Sequence, residues 1–100
     1  MNNKKVLITG AHGFVGQNLV TYIKEAYPKA ELLTPTRKEC DLVCEKSIKE
    51  YFSKNLPQLV LHLAGKVGGI YANKTLPADF FYQNIMMGTL VMEHSYRSGV

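Results

Sequence analysis

Short apolar runs alternate along the chain with longer stretches in which apolar residues recur at helical spacing. The first run, Lys5–Thr9, is rich in β-branched residues and stops at Gly10, which predicts a strand buried on both faces. Weaker runs at residues 32–36 and 59–64 predict a second and a third strand. Because a helical pattern follows each run, the order βαβαβα predicts an α/β fold with a parallel sheet and crossover helices.

Helical spacing identifies three helices, and prolines mark the ends of two of them. The first begins at Phe14 and ends before Pro28, and the second is closed by Pro57. The apolar positions expected on one face are Val15, Leu19, Ile23 and Ala26 in the first helix and Ile48, Tyr51, Phe52 and Leu56 in the second. The third helix runs to Arg97 and is apolar nearly all round, which predicts burial against more than one surface.

Composition and charge narrow the functional classes. The chain has 100 residues, 46% of them hydrophobic and 20% charged, so we expect at most one small globular domain. Its net charge of +4 is spread along the sequence without a basic block, which argues against a nucleic-acid partner. No apolar run approaches the roughly 18 residues of a membrane span, and none has the length of a signal sequence. We therefore expect a cytoplasmic protein with no membrane partner.

The cysteines and two of the histidines offer little chemistry of their own. Cys40 and Cys44 are too few for a disulfide framework, and no metal-type spacing surrounds them, so we expect no metal site. His62 falls inside a predicted strand and His94 inside a predicted helix. Both are expected to be structural or surface residues.

A glycine-rich turn between the first strand and the first helix is the strongest local signal. It contains, in order, Thr9, Gly10, Ala11, His12, Gly13, Phe14, Val15 and Gly16. Gly10 allows a tight turn, Gly13 lets the backbone approach a pyrophosphate, and Gly16 lets the helix lie close to the strand. Phosphates are favoured at a helix N-terminus by its free N–H groups and its dipole. This context predicts dinucleotide binding, and the alternative is a structural turn with no ligand.

The end of the second strand indicates which nicotinamide cofactor is preferred. NAD sites usually place an acid here for the ribose 2′-hydroxyl, whereas a 2′-phosphate requires a cation. The strand is followed by Arg37 and Lys38, with no acid before Glu39, and His12 could add charge. We therefore predict NADP, although both cations could be ordinary solvated residues.

Two further segments are predicted to border the same ligand. Asp41 and Leu42 are expected beside the adenine, although an aspartate near a helix start is also an ordinary cap. The third strand ends in Leu63, Ala64 and Gly65, small enough for a cofactor to pass over the sheet edge. Tight packing would explain these small residues nearly as well.

The glycine spacing, Gly-x-x-Gly-x-x-Gly, resembles that of the extended short-chain dehydrogenases/reductases. Residues 66–73, Lys-Val-Gly-Gly-Ile-Tyr-Ala-Asn, and the helix start Pro-Ala-Asp-Phe at 77–80 resemble the GDP-L-fucose synthase family within that group. The resemblance extends from about Lys5 to Val100. It implies a Rossmann-like doubly wound parallel sheet, here as its first three strands in the order 3-2-1, with the first strand at an open edge.

The resemblance also implies an activity. Such enzymes epimerise GDP-4-keto-6-deoxy-D-mannose at C3 and C5 and reduce its C4 ketone with NADPH to give GDP-L-fucose. By resemblance, the segment from Gly10 to Gly16 is the phosphate loop, Arg37 binds the 2′-phosphate, and Asp41 and Leu42 flank the adenine. His12 stands where some members carry arginine. The resemblance implies a homodimer, with the helix from Ala78 to Arg97 as a candidate interface.

The catalytic groups of that family are missing from the chain. The family uses a serine, a Tyr-x-x-x-Lys pair, a cysteine and a histidine, and no tyrosine here has a lysine four residues later. Residues 1–100 are therefore interpreted as the N-terminal part of an NADP-binding domain, inactive alone, with the catalytic half and the sugar-binding domain beyond it. The alternatives are another extended nucleotide-sugar epimerase or dehydratase, or a non-catalytic nucleotide-binding or interaction module.

Overall fold

The apolar first run forms the middle strand of a parallel sheet. A computed structural model describes residues 1–65 and 77–100, so residues 66–76, which carry the predicted loop, lie outside the described part. The described strands and helices are β1 Lys5–Thr9, α1 Phe14–Ala26, β2 Glu31–Leu33, α2 Glu45–Asn55, β3 Leu59–His62 and α3 Pro77–Arg97. The predicted α/β class and its βαβαβα order are confirmed.

The strand order is β2-β1-β3, and both neighbours of β1 run parallel to it. Val6, for example, is in register with Leu32 on one side and with Leu59 on the other. This corrects the expectation of a 3-2-1 order with β1 at an open edge. The physical reason is burial: Val6, Leu7 and Ile8 have no exposed surface, and the middle of the sheet is where a strand is covered most completely.

Alternating side chains of β1 pack into two separate hydrophobic cores, one on each face of the sheet. Leu7 packs with Ile48 and Phe52 of α2 and with Leu90 and Val91 of α3. Val6 and Ile8 pack on the other face, where Ile23 of α1 and Ala11 complete the cluster. Side chains two residues apart point to the same face of a strand, so this division follows from the pleat. Helix α1 therefore covers one face, and α2 and α3 cover the other.

Two predictions for the helices need correction. Leu56 does not share the buried face of α2: it adopts a left-handed φ of 48° as the C-cap and is 59% exposed. The proline that follows disfavours a helical residue at this position. In α3, Met87, Leu90 and Val91 are buried, but the opposite side, with Phe81 68% exposed, is open. Within the described chain α3 is thus covered on one side, not on several.

The described part of the chain contains no helix that is both long enough and apolar enough to cross a bilayer. Nor do residues 1–65 and 77–100 bring three or more His, Cys, Asp or Glu side chains together where they could hold a metal ion. His94 is buried on α3, with its Nε2 3.5 Å from Oε1 of Glu45 at the start of α2. His94 thus lies between two helices, as expected of a structural residue.

Candidate ligand-binding site

The turn after β1 is built by two close approaches between backbone segments. Gly10 has a φ of 71°, and a Cβ on it would lie 2.7 Å from the backbone nitrogen of Ala64. A Cβ on Gly16 would lie 2.1 Å from the carbonyl oxygen of Gly10. Any side chain at either position would collide with backbone that cannot move aside. The glycines therefore hold the turn against both the end of β3 and the first turn of α1.

Gly13 serves a different purpose at the N-cap of α1. A Cβ there would approach the carbonyl oxygen of Gly10 only to 3.5 Å, an ordinary contact, so protein packing does not require glycine. The helix has no side-chain hydrogen bond at this cap and no acidic residue in its first turn. Its first N–H groups and positive dipole end are consequently available to an anion.

The end of the sheet is a topological switch point. From β1 the chain passes to α1 on one face, whereas α3, which follows β3, lies on the other face. Parallel sheets leave a crevice at such a point, beyond the carboxyl ends of the two strands, and ligands bind there. The structure has a cavity of about 690 Å³ at this position.

Nearly all the residues predicted for the site line this one cavity. Those that do are Gly10, His12, Gly13, Phe14, Val15, Gly16, Arg37, Asp41, Leu42, Leu63, Ala64 and Gly65. Two others are placed elsewhere. Ala11 is 3% exposed and packs into the core on the α1 face. Lys38 lines a second cavity, of about 780 Å³, between the end of β2 and α2.

The cavity also contains residues that the sequence analysis missed. They are Pro35, Thr36, Cys40, Val43, Gln83 and Met87. The first four lie between or next to predicted residues, so continuity along the segment after β2 was a usable signal. Gln83 and Met87 are four residues apart on one side of α3, and only the packing of that helix across the switch point brings them to the cavity.

The basic wall of the cavity is formed by Arg37, which is exposed and has no ion-pair partner among residues 1–65 and 77–100. The nearby acid, Glu39, is engaged elsewhere: its Oε1 accepts a hydrogen bond of 2.9 Å from the backbone N–H of Thr36. That bond lowers the pKa of Glu39, and the charge of His12 lowers it further. Glu39 lines the second cavity, so its carboxylate lies away from the first.

His12 connects the turn after β1 with the end of β2. Its Nε2 lies 3.1 Å from the carbonyl oxygen of Thr34, and because a carbonyl only accepts, Nε2 carries the hydrogen. Gln17 in the first turn of α1 donates in turn to the carbonyl oxygen of His12, at 2.8 Å. The imidazole thus lines the cavity and joins the turn after β1 to the end of β2.

The segment from Cys40 to Val43 forms a less polar wall. Oδ1 of Asp41 accepts a hydrogen bond of 3.2 Å from the backbone N–H of Val43. The backbone N–H of Asp41 donates to Oγ of Ser47 at 2.9 Å. Burial raises the pKa of the Cys40 thiol to about 11, so it is neutral at ordinary pH. Leu42 and Val43 complete a surface suited to a flat, largely apolar ring.

The end of β3 is fixed by a side chain of β1. Oγ1 of Thr9 accepts hydrogen bonds from the backbone N–H groups of Leu63 and Ala64, both at 3.1 Å. These bonds, with the close approach at Gly10, set the edge of the cavity that the small residues form. Within residues 1–65 and 77–100, the crevice joins a helix N-terminus suited to an anion, a guanidinium without an ion-pair partner and an apolar wall. A nucleoside phosphate has this chemistry.

Comparison with known proteins agrees with this description. The model of the NAD dependent epimerase/dehydratase family matches residues 6–100. A GDP-L-fucose synthase from Sinorhizobium fredii is 37% identical over 100 residues, covering 100% of this chain and 31% of the relative. A GDP-L-colitose synthase from Yersinia pseudotuberculosis is 42% identical over 84 residues, 84% of this chain and 27% of the relative.

A solved structure of a GDP-D-glycero-L-gluco-heptose synthase from Campylobacter jejuni, in the presence of NADPH, superposes with a TM-score of 0.92. It is 31% identical and covers 100% of this chain and 29% of that one. The chain thus spans under a third of the length of these relatives. The predicted Rossmann-like architecture and the resemblance to GDP-L-fucose synthases are both confirmed. Because the family match extends over nearly the whole sequence, this chain belongs to the NAD-dependent epimerase/dehydratase family.

Proposed function

We propose that residues 1–100 are the N-terminal, NADP-binding part of a GDP-sugar epimerase/reductase. The observation that supports this most directly is the pairing, in one cavity, of an uncapped helix N-terminus with an arginine that lacks an acidic partner in the described ranges. The first suits a pyrophosphate and the second a 2′-phosphate. Glu39, the acid that would favour NAD, is bound to backbone on the other side of the segment.

Each part of the cofactor has residues suited to it. In this proposal the turn from Gly10 to Gly16 holds the pyrophosphate, with Gly13 leaving room for it at the start of α1. Arg37 binds the 2′-phosphate, with His12 beside it and Lys38 adding charge from the neighbouring cavity. Asp41 and Leu42 border the adenine.

Leu63, Ala64 and Gly65 form the edge past which the nicotinamide extends. NADPH, when bound, supplies the hydride that reduces a ketone.

The proposed substrate is GDP-4-keto-6-deoxy-D-mannose, with GDP-L-fucose as the product. This proposal is supported by the motifs that resemble the GDP-L-fucose synthase family and by the Sinorhizobium relative. The groups that would protonate the C4 oxygen and epimerise the sugar belong to a catalytic half and a sugar-binding domain beyond residue 100. We accordingly propose that the 100-residue chain binds no sugar and is inactive by itself.

A second candidate is a different GDP-sugar reductase. The higher identity to a GDP-L-colitose synthase and the close superposition with a GDP-heptose synthase favour it. The two candidates share the cofactor site and differ only in the sugar, so product analysis with the complete protein separates them. A non-catalytic nucleotide-binding module would instead bind NADPH tightly through these 100 residues alone and turn over no sugar.

We further propose that the complete protein is a cytoplasmic homodimer in which α3 contributes to the interface. Phe81, Ile85 and Met92 form an exposed apolar side of this helix, with exposures of 68%, 52% and 73%. Apolar patches of this kind favour association. Sedimentation of the complete protein as a monomer would contradict the dimer.

The cofactor assignment is tested with Arg37→Ser in the complete protein, using the fluorescence of NADPH and NADH in parallel titrations. We expect the variant to weaken NADPH binding about tenfold or more, because a charge-assisted contact to the 2′-phosphate is lost. NADH affinity is expected to change by less than about twofold, since NADH lacks that phosphate. Lys38→Ser is the matched control, expected to lose less because Lys38 lines the other cavity. Equal loss of NADPH and NADH affinity in Arg37→Ser would overturn the assignment.

A further inference from the structure

The hydroxyl of Thr9 is at the centre of a small hydrogen-bond network between the ends of β1 and β3. Thr9 is 2% exposed, and its Oγ1 lies 3.1 Å from the N–H nitrogens of both Leu63 and Ala64. The N–H of Leu63 is shared, since it also reaches the carbonyl oxygen of Thr9 at 3.1 Å. The third partner is Nδ1 of His62, only 2.6 Å from the hydroxyl.

We propose that His62 is a positioning residue for the cofactor site, held as the tautomer with its hydrogen on Nε2, and that it acts by accepting a hydrogen bond from the Thr9 hydroxyl at Nδ1. A threonine hydroxyl has one hydrogen and two lone pairs. The two N–H groups occupy both lone pairs, so the hydrogen must point to the remaining partner, Nδ1 of His62. A nitrogen that accepts a hydrogen bond carries no hydrogen, which fixes the neutral ring with hydrogen on Nε2.

The hydrogen-bond network around Thr9 positions the edge of the candidate cofactor cavity. Leu63 and Ala64 line the candidate cofactor cavity, and Ala64 is the backbone against which Gly10 packs. Because Nδ1 of His62 accepts the hydrogen bond of the Thr9 hydroxyl, both lone pairs of Oγ1 stay available to the two N–H groups. These bonds hold the cavity edge at its distance from the glycine turn. His62 does not line the cavity and acts only through Thr9. The proposal rests on the cofactor site described above.

The Thr9–His62 hydrogen-bond network depends on pH. Protonation of His62 places a hydrogen on Nδ1, opposite an oxygen whose lone pairs are already used, so one amide must be released. Partial desolvation of the ring lowers the pKa of His62, and no charged group in the described chain contributes to that shift. A lowered pKa means that the unfolded chain takes up the proton first. The contribution of the network is complete above the unfolded pKa of about 6.5 and is lost as pH falls through the folded pKa.

The first test needs no cofactor. In isotopically labelled protein at neutral pH, the ¹⁵N shifts of His62 are expected to show a bare Nδ1 and a protonated Nε2. Thr9→Ser, which keeps the hydroxyl, should retain this pattern, and Thr9→Val should give a mixture of tautomers. Amide exchange at Ala64 should speed up at least tenfold in Thr9→Val only. A protonated Nδ1 in the parent protein would overturn the proposal.

The second test links the tautomer to the cofactor through NADPH titrations of the complete protein between pH 5.5 and 8. His62→Asn places an amide oxygen near the position of Nδ1, so it should bind within about threefold of the parent at pH 8 and lose less affinity in acid. His62→Leu removes the acceptor and should bind about tenfold more weakly. Parental affinity and pH profile in His62→Leu would overturn the positioning role. If no variant binds NADPH, the proposed function fails while the tautomer result stands.

Discussion

The two turns that border the cavity on the β1 and β2 sides are stabilised in different ways. The turn after β1 takes four residues, and its shape depends on backbone packed against backbone at Gly10 and Gly16. The segment between β2 and α2 is longer and depends on side chains that bond to backbone, as in the contacts of Glu39 and Asp41. The first turn presents N–H groups that suit any phosphate, whereas the second presents Arg37 and the apolar wall.

In the proposed cofactor site, the two segments differ in role: the turn after β1 provides affinity for any dinucleotide, and the segment between β2 and α2 provides selectivity between cofactors. Gly10 and Gly16, where backbone packs against backbone, cannot take a side chain without destabilising the fold, so this turn suits the pyrophosphate that all dinucleotide cofactors share. A segment held by side-chain contacts tolerates substitution of its exposed residues, so it can distinguish one cofactor from another. Cofactor preference is therefore expected to change through the second segment and stability through the first.

The largest effect is expected from a methyl group added at the point where α1 packs against the turn after β1. Gly16→Ala places a Cβ 2.1 Å from the carbonyl oxygen of Gly10, and the free energy of unfolding should fall by about 3 kcal/mol or more. Gly13→Ala is the matched control: its Cβ has room at 3.5 Å, and the loss should be about 1 kcal/mol or less. Urea unfolding of both variants measures the difference.

NADPH titration of the control completes this test. Although Gly13→Ala should fold, it should bind the cofactor more weakly than the parent protein. A Gly16→Ala variant as stable as the parent would show that the turn can relax, and the contrast between the two segments would be lost.

A smaller loss is expected in the second segment. Ser47→Ala removes the oxygen that accepts the N–H of Asp41, leaving a partly buried donor without its partner. The free energy of unfolding should fall by about 1 kcal/mol relative to Ser53→Ala, an exposed position on the same helix that corrects for helix propensity. Equal stability of the two variants would mean that Ser47 does not hold this segment.

The difference between local and long-range contacts explains which strand and helix bounds were predicted correctly from the sequence. Strand β1 and helix α1 lie where the pattern predicted them, because the apolar run, the glycines and the helical spacing are all local signals. Strands β2 and β3 stop before their predicted ends, at Leu33 and His62, because their pairing with β1 ends there. Strand length depends on the partner strand, which a local pattern does not contain.

The residues of the candidate site likewise divide into those that local patterns predicted and those that depend on long-range packing. Residues next to strand ends were predicted because parallel strands bring their carboxyl ends to one edge of the sheet. Gln83 and Met87 come from a helix far along the chain, and no local pattern places that helix across the cavity. Lys38 was assigned with Arg37 because the two are neighbours in sequence, but their side chains line different cavities. Such a division depends on the path of the backbone after β2.

The smallest effect concerns Glu39 and is best seen as a pH dependence. Hydrogen bonding to Thr36 lowers the pKa of Glu39, so its ionised form contributes stability above the unfolded pKa of about 4.3. This contribution is lost as pH falls through the lower, folded pKa. Between pH 6 and pH 3 the urea midpoint of Glu39→Gln should therefore fall slightly less than that of the parent.

Glu25→Gln, at an exposed position on α1, provides the control and should follow the parent protein over the same pH range. Because Glu39 belongs to the side-chain-held segment, amide exchange at Thr36 should speed up in Glu39→Gln while exchange at Gly16 stays unchanged. Faster exchange at both positions would mean that the two turns are coupled, and selectivity could then not be altered without disturbing the phosphate turn.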